Sequence, residues 1–448
     1  MTNEQPRNAD AQLVRAIGVS GLTANIVNTT IGASIFALPA LVAQGLGAAA
    51  PIAFVVCAIA MTLFVTCFAL AGSRVSLTGG LYAYAELAFG RYVGFITGLF
   101  FYTTAVLSVA AVVNFFFGNL AILLPWLGGF GGRFFVMFTV YAVLAAINVR
   151  GVRAGTGAVG VVTIAKLVPL LVFIVVGVFF IRPAELAWPG WPGGKALGNA
   201  VLPLLFAFFG VEVALIPSGE VRNPARTVPR AIYTALSITT VIYILIQLVA
   251  QGTLGPHLAD NKVSPLADAA ATFLGDFGRL LLLAAATVSA FGFVGSDILS
   301  SPRILFAFGR AGILPRVFAH VHSRFRSPDI AIVIYAFIAF ILSLTSTFES
   351  LLVMANVAAL LLYLICCAAA WELMRRDVRH DVKPFSFPGA KLVPVVSIAA
   401  ILWILVQCSM SEDALGAETR AGLSVTGVVA AVGTLLYGLR RAVWRRSG

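Results

Sequence analysis

The stretch Asn28-Thr-Thr-Ile-Gly-Ala-Ser-Ile-Phe-Ala-Leu-Pro39 lies in an apolar run that extends from Ala16 to Ser73 without a charged residue. Gly32 lowers helix propensity, and a proline lacks the backbone donor that a helix interior needs. In lipid, backbone groups freed in this way are tolerated only where they face protein or a polar cavity. The stretch therefore predicts a broken helix that lines a cavity for a small polar molecule. An ordinary kinked helix is the alternative, since Gly and Pro are common in membrane spans.

The composition is that of a polytopic membrane protein. Of the 448 residues, 60% are hydrophobic and 11% are charged, and the mean hydropathy is +0.99. These values exclude a soluble globular domain. The net charge of +12 would suggest a nucleic-acid partner in a soluble protein. In a membrane protein it reflects basic cytoplasmic loops, so we expect a lipid bilayer and no nucleic acid as the partner.

Charged and turn residues divide the apolar sequence into about twelve spans, which predicts an all-α fold of about 12 transmembrane helices. The spans are 17–44, 51–73, 91–124, 134–149, 156–181, 199–219, 230–251, 279–308, 328–347, 350–371, 392–411 and 421–439. We group them into a cytoplasmic tail (1–16), two five-helix repeats (17–181 and 199–375), two additional transmembrane helices (392–440) and a second tail (441–448).

The basic residues predict the orientation of the chain. With the N-terminus inside, 23 Lys and Arg residues fall on the cytoplasmic side and six fall outside. Cytoplasmic loops carry the excess of basic residues. We therefore expect both termini in the cytoplasm of a cell, inner or plasma, membrane.

A weak internal repeat relates the first span to the sixth. Gly32 and Pro39 have counterparts in Gly210 and Pro217, each pair being a Gly followed by a Pro at the seventh position. Five spans separate the two copies, so the second copy enters the membrane from the opposite side. Paired broken helices in inverted repeats are typical of transporters with a substrate site near the membrane midplane.

The connections between the spans are short and leave no room for a soluble catalytic domain. Two of them predict short helices, one in the inner segment Thr78–Gly90 and one over Ser264–Leu274 in the outer loop. The four histidines fall in loops without metal-ligand spacing, so neither a metal site nor Ser–His catalysis is indicated. No cofactor is expected, and a membrane-embedded enzyme or sensor is the less favoured class. The five cysteines are interpreted as packing residues: Cys57, Cys67, Cys366, Cys367 and Cys408.

Three stretches resemble the amino acid–polyamine–organocation (APC) transporter family. In order, they are Ile31-Gly-Ala-Ser-Ile-Phe36, then Phe206-Ala-Phe-Phe-Gly-Val-Glu212 with Glu220-Val-Arg-Asn-Pro-Ala-Arg226, and finally Ser301-Pro-Arg303-Ile-Leu-Phe-Ala-Phe-Gly-Arg-Ala-Gly312-Ile-Leu-Pro315. The departure is Ser34, where the family usually has a second Gly, so pocket size or substrate choice can differ here.

The resemblance implies a ten-helix, 5+5 inverted-repeat (leucine-transporter-type) core with two extra C-terminal helices, working by alternating access. The substrate carboxylate would meet the amides of Ala33, Ser34 and Ile35, in accord with the affinity of helix N-termini for anions. The substrate ammonium would meet carbonyls near Asn28–Ile31 and Phe206–Phe209. The predicted substrate-binding residues are Ile31, Gly32, Ala33, Ser34, Ile35, Phe206, Phe209, Gly210 and Asp297.

Three residues carry the predicted coupling: Lys166, Glu212 and Ser296. A lysine at mid-depth costs roughly 2.5–3.5 kcal/mol to insert, so it is expected to have a function and a partner. In sodium-independent members of the resembled family, a lysine here fills the sodium position. We expect Lys166 to contact carbonyls near Gly32, and also Ser296. Snorkelling to the inner surface is the alternative.

Two acidic residues lie within the spans. The residue matching Glu212 is a proton-sensing gate in the arginine–agmatine antiporters of the resembled family, and burial of a carboxyl favours its neutral form. The alternative is a helix-capping acid. Asp297 matches an aromatic pocket position of those antiporters. It could bind a cationic group of the substrate, pair with Lys166, or cap a polar turn with Ser296 and Ser300.

The chain is therefore interpreted as a secondary active transporter of amino acids, sodium-independent and proton-coupled. The pocket candidates are acidic or apolar, and the buried cation is assigned to the ion position, so neutral or cationic substrates are favoured over anionic ones. An arginine- or polyamine-type exchanger is the alternative. The sequence leaves the particular substrate, symport versus exchange, and the oligomeric state open.

Overall fold

The computed structural model describes residues 17–75, 80–150, 156–188, 190–215, 221–260, 263–378 and 384–446. Within these ranges the chain is helical and forms no strand; an isolated bridge joins Ile17 to Val221. The helices are α1 (Val19–Thr30), α2 (Leu38–Leu46), α3 (Ala50–Gly72), α4 (Leu81–Phe89), α5 (Arg91–Leu123), α6 (Phe130–Val149), α7 (Thr156–Gly177), α8 (Gly194–Leu205), α9 (Val211–Ala214), α10 (Pro224–Leu254), α11 (Pro265–Ser300), α12 (Pro302–Arg310), α13 (Asp329–Thr345), α14 (Phe348–Arg375), α15 (Leu392–Ser409) and α16 (Ala414–Arg446).

Each of the twelve predicted spans contains at least one of these helices. In the described part of the chain, nine helical stretches are long and apolar enough to cross a membrane, and α8 and α13 belong to two shorter apolar helices. The first and sixth spans are each divided, into α1 with α2 and into α8 with α9. The prediction of an all-α polytopic membrane protein is confirmed.

The two short helices predicted in the connections are present. Helix α4 occupies the connection before α5 that is predicted to be inner, and the first ten residues of α11 form the short helix that is predicted to be outer. Gly275 separates that outer turn from the long part of α11, because its φ of 59° and ψ of −153° are not helical. A residue with a Cβ is strained at such a φ, so glycine suits this corner.

The core of the bundle lies along α14, which packs on α5, while α10 packs on α1 and α3. The two C-terminal helices α15 and α16 cover α14 from outside. Between membrane helices, association depends on close packing, which small residues permit. Both helices are accordingly rich in buried alanines: Ala105, Ala110, Ala111, Ala355, Ala358 and Ala359. All five cysteines are buried and free of disulfides.

Arg133 ties three helices together at one end of the bundle. Its guanidinium donates to Asn114 Oδ1 at 2.8 Å and to the carbonyl oxygens of Ser343 at 2.7 Å and Ser346 at 3.0 Å. At the opposite end of α6, Ser327 Oγ donates to the carbonyl of Val149 at 2.5 Å. Helices α5, α6 and α13 are therefore held to one another, separately from the broken helices described next.

Candidate substrate site at two broken helices

The first break separates α1 from α2. Helix α1 ends when Ile31 adopts φ −74° and ψ 85°, and a 3-10 turn, Ser34–Phe36, precedes α2. Pro39 is in the first turn of α2. Backbone N–H groups in the first turn have no acceptor within the helix, so the missing N–H of a proline costs nothing there. Pro39 therefore begins the second half of the span, and the interruption itself lies at Ile31, Gly32 and Ala33.

The backbone donors of the first break face no internal acceptor. Among the described residues, none accepts from the amides of Ala33, Ser34 and Ile35, and the 3-10 turn begins with those amides. The side chains of the three residues are buried, whereas Gly32 keeps partial exposure. Unpaired amides at the start of a helical turn form a site for an anion.

The second break separates α8 from α9. A 3-10 turn, Phe206–Phe208, ends α8, and Phe209 is extended with ψ 151°. Gly210 then takes a φ of 115° before α9 begins at Val211. Pro217, the second half of the repeat motif, lies outside the described residues.

The two breaks meet at Gly210, backbone against backbone. A Cβ on Gly210 would lie 2.7 Å from both the carbonyl carbon and the carbonyl oxygen of Thr29. The Thr29 hydroxyl also lies 3.1 Å from the carbonyl oxygen of Gly210, within donor distance. Both the φ angle and the close approach therefore require a glycine at this position.

Tyr243 of α10 links the two breaks and was missed by the sequence analysis. Its hydroxyl lies 3.0 Å from the carbonyl oxygen of Thr30 and 2.8 Å from that of Ala207, and its side chain is fully buried. A hydroxyl has a single hydrogen, so it donates to one of these carbonyls at a time. A tyrosine inside an apolar span is a buried polar group in need of a partner, which is the signal that could have identified it.

Lys166 of α7 reaches the first break from the side. Its Nζ donates to the carbonyl oxygen of Asn28 at 2.6 Å, and the side chain is only 7% exposed. Thr163, one turn earlier, donates to Asn28 Oδ1 at 2.8 Å. The ammonium thus contacts the carbonyl of Asn28, four residues before the predicted contact at Gly32. The side chain therefore does not extend to the membrane surface. Ser296 is exposed, and no bond to Lys166 is formed.

Glu212 is buried directly after the second break. Its carboxylate accepts from the Tyr363 hydroxyl at 3.0 Å and from the backbone amides of Gly210 and Glu212 itself. The Phe209 ring lies 6.2 Å from the Tyr363 ring and 5.5 Å from the Phe206 ring. Phe206 is buried and Phe209 is partly exposed. The carboxyl therefore caps the second break, the arrangement considered as an alternative to a proton gate.

Asp297 has its partners on other helices than the broken ones. Its carboxylate accepts from the hydroxyl of Ser301 at 2.8 Å and from that of Tyr335 on α13. Ser300 donates to the carbonyl of Ser296 at 2.9 Å. The predicted polar turn is thus present with Ser301 as the residue that contacts the carboxylate, and in the described contacts Lys166 is not its partner.

The sequence pattern of the amino acid permease family matches residues 17–430. The chain belongs to this family. It is similar to the serine/threonine exchanger SteT of Bacillus subtilis, with 28% identity over 88% of this chain and 91% of that protein. The methylthioribose transporter of Bacillus subtilis is 28% identical over 88% of each chain. The vacuolar cationic amino acid transporter 2 of Arabidopsis thaliana is 28% identical over 83% of this chain and 61% of its own length.

The family resolves the choice between the classes considered from the sequence. This chain is a multi-pass membrane permease of the amino acid–polyamine–organocation type, and it is not an enzyme. Its relatives carry different small molecules by name, a hydroxylated amino acid pair in one case and a sulfur-containing sugar in another. Its substrate must therefore be inferred from the residues around the two breaks.

Proposed function

We propose that the chain transports neutral or cationic amino acids by alternating access, without sodium and with proton coupling. The observation that carries this proposal is the meeting of two interrupted helices at Gly210 and Thr29. Interrupted helices in inverted halves expose backbone donors and acceptors at mid-membrane, as a zwitterion requires. In this proposal residues 17–181 and 199–375 are the two inverted repeats, and both termini are cytoplasmic in the cell membrane.

The substrate carboxylate binds the open amides of Ala33, Ser34 and Ile35. Two freed carbonyls of the breaks have a donor close by. Lys166 Nζ donates to the carbonyl of Asn28, and the Thr29 hydroxyl lies within donor distance of the carbonyl of Gly210. The Tyr243 hydroxyl serves only one of its two carbonyls at a time. We assign the substrate ammonium to the carbonyl that Tyr243 leaves free, that of Thr30 or Ala207.

The substrate side chain lies toward Phe206 and Phe209, and the turn Phe206–Phe208 contacts the 3-10 turn that begins with Ser34. Phe209 and Gly32 are the members of this set that keep partial exposure. The Lys166 ammonium, which contacts the first break, is bonded to Asn28, so this cation is not available to an anionic side chain in the described part of the site. Neutral and cationic amino acids fit better than glutamate or aspartate.

Lys166 supports transport without sodium. An ammonium 2.6 Å from a freed carbonyl supplies both the charge and the donor, so the carbonyl of Asn28 needs no metal ion. Glu212 supports proton coupling, because a buried carboxyl next to the break can gain or lose a proton as water access changes. Its bonds to Tyr363 and to two amides leave capping as the competing role.

An arginine- or polyamine-type exchanger is the second candidate within this class. Its support is the likeness to a cationic amino acid transporter and the acidic residues near the bundle core. The likeness to a serine/threonine exchanger over more of both chains favours neutral substrates.

Counterflow in proteoliposomes tests the proposal. The purified chain is reconstituted with each member of an amino-acid panel inside, and uptake of labelled substrate is followed with and without sodium and a pH gradient. Neutral or cationic amino acids should exchange equally well with and without sodium. Reproducible sodium-driven uptake would refute the role of Lys166, and counterflow by glutamate alone would refute the assignment of the pocket.

Glu212→Gln separates coupling from capping, because glutamine can still bond to Tyr363 but cannot ionise. The variant should keep counterflow and lose the pH dependence of the rate. Glu349→Gln, at the start of α14, is the matched control and should keep the wild-type pH profile. An unchanged profile in Glu212→Gln would identify Glu212 as a cap only.

A further inference from the structure

A second polar cluster lies at the inner end of α11. We define the Asp297 cluster as Asp297, Ser301, Tyr335 and Tyr102, which come from α11, the residue after it, α13 and α5. The Asp297 carboxylate accepts from Ser301 and Tyr335. The rings of Tyr102 and Tyr335 meet edge to face, with 5.5 Å between centroids. None of these residues belongs to either break.

The Tyr102 hydroxyl is the unused member of the cluster. Tyr102 is 9% exposed, and in the described part of the chain its hydroxyl has no hydrogen-bond partner. It lies within electrostatic range of the Asp297 carboxylate. A buried hydroxyl without a partner is costly, so a group that can donate to it or accept from it is expected to come within reach during the working cycle.

No cation balances Asp297 among the residues that the structure describes. From α6, Tyr141 faces the cluster, and its hydroxyl forms a hydrogen bond of 2.8 Å with Ser343 Oγ. From α7, Lys166 is bonded to Asn28. On α12, Arg303 is exposed, and Arg310 lies over the Phe306 ring. The carboxylate therefore has only hydroxyl donors around it.

An unpaired carboxylate inside a membrane-spanning helix is costly, because few water molecules are available to solvate its charge. Protonation removes this cost. It also gives the carboxyl a hydrogen to donate, and the Tyr102 hydroxyl is an acceptor with no other partner. The cluster thus has partners for both forms: Tyr335 and Ser301 for the ionised form and Tyr102 for the protonated form.

We propose that the Asp297 cluster is a proton-binding site of the transport cycle, separate from Glu212. A proton from water forms an O–H bond to the Asp297 carboxyl and later returns to water on the other side; Tyr335 and Ser301 keep their own hydrogens. The same helix, α11, contacts the 3-10 turn of the first break, so a change of charge at its inner end can bias that break. This inference rests on the proposed function and assigns part of its proton coupling.

The test measures both counterflow and uptake driven by an imposed pH gradient, with the full chain in proteoliposomes. Asp297→Asn should keep counterflow, because it mimics the neutral form, and should lose the stimulation by the gradient. Asp276→Asn, an exposed acid on the same helix, is the matched control and should keep that stimulation. Tyr102→Phe preserves the carboxyl and should weaken the stimulation without abolishing counterflow.

Three results would overturn the inference. One is full gradient stimulation in Asp297→Asn. The second is a variant Asp297→Asn that keeps gradient stimulation but in which cationic amino acids no longer compete with the labelled substrate. That result would make Asp297 a substrate ligand. The third is a wild-type protein that exchanges amino acids without any response to the gradient. If Asp297→Asn does not fold, unchanged gradient stimulation in Tyr102→Phe decides against the proposal. Absence of wild-type counterflow would instead refute the proposed function itself.

Discussion

In the first break a lysine from another helix supplies the stabilising charge, whereas in the second break a glutamate of the break itself does so. Lys166 donates to the carbonyl of Asn28, where α1 is about to end. Glu212 accepts from the amides of Gly210 and of its own residue, where α9 begins. In the first break a side chain thus occupies the free carbonyl at the end of α1. In the second break a side chain lies at the free amides at the start of α9.

This difference indicates which end of each break is open to a ligand. The amides of Ala33, Ser34 and Ile35 have no acceptor within the described chain, so the first break can bind an external carboxylate. In the second break an internal carboxylate, that of Glu212, already lies beside the amides of Gly210 and of its own residue. The two broken helices, which the sequence predicts to be repeats, are therefore unequal as binding groups, and the predictions below change one break at a time.

The largest effect is expected from Gly210→Ala, which forces the two breaks apart. The new Cβ would meet the Thr29 carbonyl at 2.7 Å, and a φ of 115° is unfavourable for alanine; strain of this kind costs on the order of 1–3 kcal/mol. Counterflow should be lost, and the melting temperature of the purified protein should fall. Gly427→Ala, where nothing lies within 4 Å of the new Cβ, is the control. Wild-type counterflow in Gly210→Ala would show that the breaks do not need this contact.

Lys166→Met removes the cation from the first break and keeps a side chain of similar length. The Asn28 carbonyl then loses its donor, a loss of about 1–3 kcal/mol for a buried group. We expect at least a tenfold fall in the counterflow rate, with a smaller effect on stability than that of Gly210→Ala. Lys195→Met changes an exposed lysine and should match the wild type. Counterflow at the wild-type rate in Lys166→Met would remove Lys166 from the mechanism.

Tyr243→Phe tests the link between the breaks without altering either one. The variant leaves the carbonyls of Thr30 and Ala207 without a hydroxyl donor, while the ring and its packing remain. We expect a several-fold lower maximal rate with the fold intact. Tyr233→Phe is the control on the same helix, since that hydroxyl meets Thr66 Oγ1 at 2.8 Å, away from the breaks. Equal rates in both variants would make Tyr243 a packing residue.

Much of the fold could be predicted from the sequence, because each signal is local. An apolar run of about 20 residues predicts a span without regard to its neighbours, and Gly32 marked the first break within two residues. The short helix predicted over Ser264–Leu274 also ends directly before Gly275, whose backbone is not helical. Pro39 was interpreted wrongly as part of the interruption, because the same residue type suits both a break and the first turn of a helix.

The candidate site could be predicted only in part, because its partners are distant in sequence. Lys166 was identified by its charge in an apolar span, yet its acceptor, Asn28, is 138 residues away. Nothing in the sequence around Asn28 shows that its carbonyl is the one that Lys166 contacts. A tyrosine inside an apolar span, such as Tyr243 or Tyr335, is a sign of a buried polar group, but the sequence does not show which partner its hydroxyl contacts. Which hydroxyl meets which carbonyl depends on helix packing, and periodicity does not report it.

The smallest effect on rate, and the most informative one on selectivity, is expected from Ser34. Ser34 supplies one of the open amides of the first break, and its side chain is buried. Among the described residues its hydroxyl has no partner. Ser34→Gly should enlarge the space beside the substrate carboxylate, and Ser34→Ala should remove only the hydroxyl. Counterflow with a panel of unlabelled competitors separates the two causes. If size controls selectivity, Ser34→Gly alone admits larger amino acids; if hydrogen bonding does, both variants lose preference for hydroxylated ones. Identical competition in all three proteins would place Ser34 outside the binding site and leave the first break to recognise only the carboxylate.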